Sequence, residues 1–313
     1  MKRPVLSVQL DPQTTLTRAA LMLEARQQRT IGNPTSVEGF GYWSGKDIRL
    51  EFRPAEANSG IVFVRSDLQP AVRIPARVEH RVESPRRTTL RAGSGSVEMV
   101  EHVMAALAGL HIDNCEVWAD GAEMPGLDGS ALAYVEALLA AGIEEQSAVR
   151  SQLIVSEQTR VGDSEQWIEA RPNRSAAFEI KYRLDYGRDN AIGRQTLAMK
   201  MTPDAFHREI APCRTFLLED EAKWLRSQGL GTRASESDLL VYGAEGPIGN
   251  ELRFADECVR HKVLDFVGDV ALAGCDLIGT FTALRSGHRL NAELVRALLA
   301  EGEIIGDKWR RTA

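Results

Sequence analysis

The sequence predicts an α+β protein made of two similar sheet-plus-helices modules related by a pseudo-twofold axis. Three observations carry this expectation. At 313 residues the chain is longer than one hydrophobic core usually organises. Short alternating apolar runs, broken by turn residues, fill both halves in the manner of antiparallel sheet. Each half also runs strands, helix, strand, helix, which is a coarse repeat with no finer period.

Residues 12–28 carry helical spacing in Leu16, Ala19, Ala20 and Leu23, with Asp11 and Thr14 as caps, and read as a packing or oligomerisation helix. From Thr30 the texture changes: Gly39, Gly41, Gly45 and Pro54 punctuate strands over 48–52 and 61–64. A helix is predicted over 97–110, with Met99, Val103, Ala106, Leu107 and Leu110 on its apolar stripe. A strand over 115–119 follows, then a loop through Pro125 and a helix over 130–141 stopped by Gly142. The polar run 144–148 marks a boundary, giving an N-terminal extension (1–28), a first module (29–148) and a second (149–313). In the second module strands are expected over 153–155, 167–170, 177–182 and 195–201, then a short helix over 220–228 and a strand over 239–242. A helix over 254–273, a strand over 276–284 and a last helix over 291–301 complete it.

Composition narrows the function. A net charge of −6 argues against a general nucleic-acid binder. The four cysteines, Cys115, Cys213, Cys258 and Cys275, form no C-x-x-C pair and read as reduced thiols of a cytoplasmic protein. The first eleven residues lack the apolar core of a secretory signal, and no apolar run approaches the roughly 20 residues that span a bilayer. A lipid substrate would be met from the aqueous side.

One stretch stands out, Arg260-His261-Lys262-Val263-Leu264-Asp265-Phe266-Val267-Gly268-Asp269. Helical positions four apart share a face, so His261 and Asp265 can grip one object, and Asp269 continues the row. The pair fits two ligands of a zinc site that takes its third from elsewhere. It also fits an acid–base pair on a solvated helix, where such i,i+4 pairs are common. The first helix of the first half carries Val100-Glu101-His102. If the modules pack helix against helix, these residues meet.

Together the segments resemble the bacterial zinc-dependent UDP-3-O-acyl-N-acetylglucosamine deacetylases, which catalyse the committed step of lipid A synthesis. The likeness runs over residues 28–298 and includes Phe52-Arg53-Pro54-Ala55, Val100 to Gly109 and Leu127-Asp128-Gly129-Ser130-Ala131. It continues through Arg214-Thr215-Phe216, Arg253-Phe254 with Asp256-Glu257, Arg260 to Asp269, and Ser286-Gly287-His288. The resemblance implies a two-layer sandwich, each module with a small insert and the active site between them. It implies zinc on His102, His261 and Asp265, an N,N,O set that also accepts iron. Glu101 corresponds to the general base, His288 to a protonated partner oriented by Asp269, and Thr215 to an oxyanion-binding hydroxyl. Lys262 and Phe216 correspond to substrate contacts, with a UDP-linked acylated amino sugar as substrate and transient contact with membrane lipid.

Taken singly, His102 reads as a core histidine, Glu101 as a solvated neighbour, Asp269 as a local pair and Thr215 as a strand residue. Two departures bear on the substrate. Trp43 stands where the family carries histidine, beside the sugar site. Arg233, near Glu236, lies in the insert that in the family forms the acyl passage, where these charges mean either a different passage or side chains turned outward; Trp43 and Arg233 are both placed among the substrate-side residues. They keep open a paralogue acting on another N-acyl sugar conjugate, while the full catalytic set speaks against a silent metal-stabilised binding protein. His80, His111 and His207 match no motif, and Lys46, Arg86 and Arg87 read as solvated charges.

Overall fold

A computed structural model describes residues 25–306. The predicted repeat appears in it as strand order. In the first half the sheet runs Thr35–Phe40, Asp47–Pro54, Cys115–Ala119, Ile61–Arg65, Val72–Pro75. In the second half it runs Thr159–Gly162, Trp167–Arg171, Asp276–Leu284, Phe178–Asp185, Arg194–Lys200. Each central strand pairs antiparallel on one side and parallel on the other. The flanking strands correspond as well. Gln27–Ile31 pairs antiparallel with Ile143–Val149, as Gln152–Ile154 does with Glu303–Ile305. Each half also carries an insert with its own three-stranded sheet, over residues 81–98 and 216–247.

Five helices matter for the site: α1 (Glu101–Gly109), α2 (Leu132–Ala140), α3 (Glu219–Ser227), α4 (Glu257–Val270) and α5 (His288–Glu301). α1 and α4 are buried on nearly every side, as expected of helices packed between layers. They cross so closely that a Cβ on Gly268 would lie 2.0 Å from the Glu101 carbonyl oxygen and 3.1 Å from Ala105 N. Both obstacles are backbone, so neither side chain nor rotamer can yield. Gly268→Ala should therefore destabilise the protein by about 1–3 kcal/mol or more through overpacking, read as a lowered midpoint of thermal or urea unfolding.

Several boundaries differ from the sequence reading. The helix expected from residue 97 begins at Glu101, because Val97 and Glu98 belong to the strand Gly95–Glu98 and Met99 takes φ +57. A short apolar run does not distinguish strand from helix by periodicity. The polar run 144–148 is not a linker but lies in the strand Ile143–Val149. The last helix starts three residues early, at His288. Of the helix expected over 12–28, residues 12–24 lie outside the described residues, while Gln27 and Gln28 are in a strand. α4 ends as its sequence suggests, through a 3-10 turn to Gly274 at φ +68. Among the described residues no helix is long and apolar enough to cross a membrane, and all four cysteines are free and buried.

Candidate active site

The crossing of α1 and α4 brings the three expected ligands together. One ligand atom each from His102, His261 and Asp265 lies within 4.8 Å of the others. His102 Nε2 and His261 Nε2 stand 3.6 and 3.3 Å from Asp265 Oδ1, with the imidazole rings edge to face. His261 Nδ1 is 3.0 Å from the Cys213 carbonyl oxygen. A carbonyl only accepts, so Nδ1 carries the hydrogen and the Nε2 lone pair faces Asp265. Burial pushes the His261 pKa down to about 3, which keeps the ring neutral. Burial opposes charge on Asp265 too, but the His261 and Lys262 side chains hold its carboxyl well below the usual range, and Lys262 Nζ donates to Oδ2 at 2.6 Å. Two imidazole nitrogens and a carboxylate oxygen, all buried, form a donor set that fits zinc, or iron.

Glu101 precedes His102 and lines the same cavity as the donor set. It is 4 % exposed, and the Thr88 backbone N–H donates to its Oε2 at 3.0 Å. Burial raises its pKa above the ordinary value, against the pull of His288 and His102. Its Oε1 stands 4.0 Å from His288 Nε2. On the far face of that imidazole, Nδ1 donates to Asp269 Oδ2 at 2.8 Å. Asp269 is fixed in turn by Thr88 Oγ1 at 2.5 Å and Asn291 Nδ2 at 2.7 Å, and Ser286 Oγ donates to Asn291. Burial works against a charge on His288, but Asp269 outweighs it and pushes the pKa up to about 9. The ring is therefore cationic at neutral pH, directly opposite a buried carboxyl.

These groups lie along one side of a cavity of about 540 Å³. Thr215, Phe216, Lys262 and Trp43 also line it. Phe216 packs edge to face on His261 and lies 5.7 Å from Lys262 Nζ. Trp43 is held from two sides: Arg87 stacks over its ring at 4.7 Å, and Glu123 accepts its backbone N–H at 2.7 Å. Away from the ligands the wall turns apolar, with Leu217, Leu225, Leu230, Leu239 and Val241 from the second insert. Arg233 does not join them, which corrects its placement among substrate-side residues. Its guanidinium turns outward, donates to Asp47 Oδ1 at 2.6 Å and to the Gly45 carbonyl, and covers the Phe40 ring. A guanidinium keeps its hydration and its carboxylate partner more cheaply there than in an apolar passage.

The reading of Arg87 as a solvated charge is also corrected: it props Trp43 while paired with Glu98. Arg86 is exposed, as expected, and stands at the cavity wall paired with Glu221 at 3.0 Å. Arg214 and Glu257 stand in the sequence only as members of segments that carry the family resemblance. Burial brings them together: Arg214 N and Nε both donate to Glu257 Oε1, at 3.0 and 2.9 Å, fixing the backbone that presents Thr215 and Phe216 against α4. Their charge complementarity, 43 residues apart, was the available signal.

Comparison with known sequences agrees with this geometry. A sequence profile for UDP-3-O-acyl N-acetylglycosamine deacetylase matches residues 28–300. A Shewanella sp. (strain W3-18-1) protein named UDP-3-O-acyl-N-acetylglucosamine deacetylase is 39 % identical over 279 residues, covering 88 % of this chain and 90 % of the relative. A Geobacter sp. (strain M21) protein of the same name is 41 % identical over 273 residues, 87 % and 88 % of the two chains.

Proposed function

The chain belongs to the UDP-3-O-acyl N-acetylglycosamine deacetylase family, and from that premise we propose that it hydrolyses the N-acetyl group of UDP-3-O-acyl-N-acetylglucosamine, the committed step of lipid A synthesis. The products are acetate and the free 2-amine. The observation that carries this reading is the approach of a buried carboxyl, Glu101, to a cationic imidazole, His288, in the same partly apolar cavity that is lined by the N,N,O donor set. Zinc held by His102, His261 and Asp265 would polarise the amide carbonyl and acidify the attacking water.

The chain's own residues supply the rest. Glu101 takes the proton of the attacking water at Oε1, while Thr88 N–H holds Oε2 and fixes the carboxyl plane. Desolvation raises its basicity toward neutral pH, where a general base works best. His288 carries a proton at Nε2, ready for the leaving amine, and Asp269 fixes the tautomer and ring plane through Nδ1. The Thr215 hydroxyl and the His288 cation together offset charge developing on the carbonyl oxygen. Lys262 and Phe216 hold the sugar nucleotide beside the donor set, and the leucine-lined wall of the second insert receives the 3-O-acyl chain.

The test is acetate release from UDP-3-O-acyl-N-acetylglucosamine by zinc-loaded protein, with metal content measured on the same sample. Turnover with one zinc per chain is expected. A fully loaded protein that releases no acetate would sink the reading. The His288–Asp269 pair yields a sharper expectation. The His288 proton is present below a pKa of about 9 and is lost as pH rises through it, so activity should fall on the alkaline side there. Asp269→Asn removes the charge and leaves the burial, so that limb should move to lower pH by about 1–3 units. An unmoved alkaline limb in the pH–rate profile would separate Asp269 from His288, the profile being a property of the coupled site.

A further inference from the structure

Beyond the ends of α1 and α4 the two halves of the chain meet around a small cavity of about 70 Å³. Leu107 and Ala108 of α1 and Ala271, just past α4, give it apolar walls, but much of the remaining lining is charged. Arg26, Arg77 and Asp113 come from the N-terminal half, Arg150 and Asp276 from the C-terminal one. Two further titratable groups there add no charge. Burial, with the Arg26 cation beside it, pushes the His111 pKa down to about 4, and burial pushes the Cys275 thiol up to about 11.

Four of the charges cancel. Arg26 Nη1 and Nη2 donate to Asp113 at 2.6 and 2.7 Å, and its Nε and Nη2 to Asp276 at 2.8 Å each. Arg150 Nε lies 2.9 Å from Asp113 Oδ1 and 3.2 Å from Asp276 Oδ1. Burial opposes charge on Asp276, but Arg26 and Arg150 hold its carboxyl below the ordinary value. The fifth charge, on Arg77, is different. Among the described residues its guanidinium has no carboxylate partner, and its one hydrogen bond runs from Nη1 to the Ala273 carbonyl at 3.0 Å. That carbonyl ends the 3-10 turn after α4 and offers only the partial negative charge of a helix end. The position is built in, since a Cβ on Gly274, at φ +68, would strike the Arg77 guanidinium. Arg77 Nε and Nη2 and Arg150 Nη1 and Nη2 have no acceptor among the described residues, and none of the four is sealed off from a water-sized sphere. Guanidinium donors withdrawn from bulk water call for a partner.

We propose that this cavity binds one small monovalent inorganic anion, of the size of chloride, between Arg77 and Arg150. Three guanidiniums against two carboxylates leave one positive charge, so a monovalent ion balances the ring and a dianion overshoots it. The volume admits such an ion with a few waters and is too small for a nucleotide sugar. Arg77 and Arg150 lie close enough to repel each other, and an anion between them turns that repulsion into charge-assisted contacts. The lining shares no residue with the catalytic cavity. Since its two holders come from different halves of the chain, the ion ties the halves together and stabilises the native state without entering the reaction.

Thermal unfolding of the full-length protein tests this, at one ionic strength made up with sodium chloride or with sodium gluconate, whose anion is too large for the cavity. Replacing gluconate by chloride, from about 5 to about 250 mM, should raise the midpoint by about 2–4 °C along a saturating curve. Arg77→Gln removes the unbalanced charge and should shrink that rise at least about threefold, whatever the variant's own midpoint. No rise in the wild-type protein, or an equal rise in the variant, would overturn the proposal, the second by showing that chloride acts elsewhere. Bromide gives a reading that needs no variant, being of the same charge and similar size. A crystal of the wild-type protein soaked in bromide should show an anomalous-scattering peak between Arg77 and Arg150, and a cavity without one would sink the site.

Discussion

Replacing Glu101 with alanine should lower the rate of acetate release by about 10²–10⁴-fold while the protein keeps its full complement of metal. The carboxyl touches Thr88 N and faces His288, and it is no member of the donor triplet, so its loss removes a proton acceptor and leaves the ligands in place. Glu101→Gln sharpens the result. The amide oxygen can still accept the Thr88 hydrogen bond and fills the same buried space, so packing is preserved, but the basicity is gone. If Gln restores most of the rate, Glu101 acts by shape and the base lies elsewhere. Neither variant should be strongly destabilised, because burial already disfavours the charged form of this carboxyl. Parallel loss of metal and rate in both would contradict the role assigned.

That such a residue could be singled out from the sequence depended on its neighbour. Glu101 and His102 sit at the start of a helix whose other positions are apolar, and charged groups in such a setting call for a reason. His261 and Asp265 were legible through i,i+4 spacing alone, although spacing left a solvated pair open until the burial of both settled the setting. The central strands Cys115–Ala119 and Asp276–Leu284 were read with their true ends, since turn residues bound both. The start of α1 was not, because Val97 and Met99 alternate like a strand and continue like a helix. Arg233 and Arg87 were misplaced for a common reason. Sequence shows that a guanidinium is present but not which partner it will find: Asp47 draws Arg233 away from the cavity, while Glu98 and the cavity-lining Trp43 ring hold Arg87. The early start of α5 has a similar origin. Asn291 and His288 both reach Asp269, and two contacts with one carboxylate draw the first turn of the helix back to residue 288.

The reach of Asp269 also separates what positions the site from what holds the metal. His288, Asn291 and Thr88 all converge on Asp269, one turn beyond Asp265 on α4, so this helix carries the proposed ligands His261 and Asp265 on successive turns and the orienting carboxylate on the next. Changes at Asp269 should therefore move the pH profile, and changes at His261 the metal content. A variant that moved both equally would mean that the two turns do not act separately.

His261→Ala should abolish metal binding and with it essentially all acetate release. The imidazole is one of the three proposed ligands, and the contact of its Nδ1 with the Cys213 carbonyl orients its Nε2, an orientation that a free side chain would have to find at an entropic cost. Even changes to such supporting partners typically cost 10–100-fold in metal affinity, so removing the ligand itself should cost more than that. The two groups left behind cannot compensate. Lys262 still donates to Asp265 Oδ2, so the carboxylate is drawn toward a salt bridge rather than toward His102. The fold should survive, because the space vacated opens on the cavity even though the ring also gives up its edge-to-face contact with His102 of α1. The measurement is metal content after dialysis against a weak chelator, alongside the unfolding midpoint and acetate release. Retention of one metal per chain would remove His261 from the donor set, whereas loss of metal with a collapsed unfolding midpoint would show instead that the imidazole holds the two helices together.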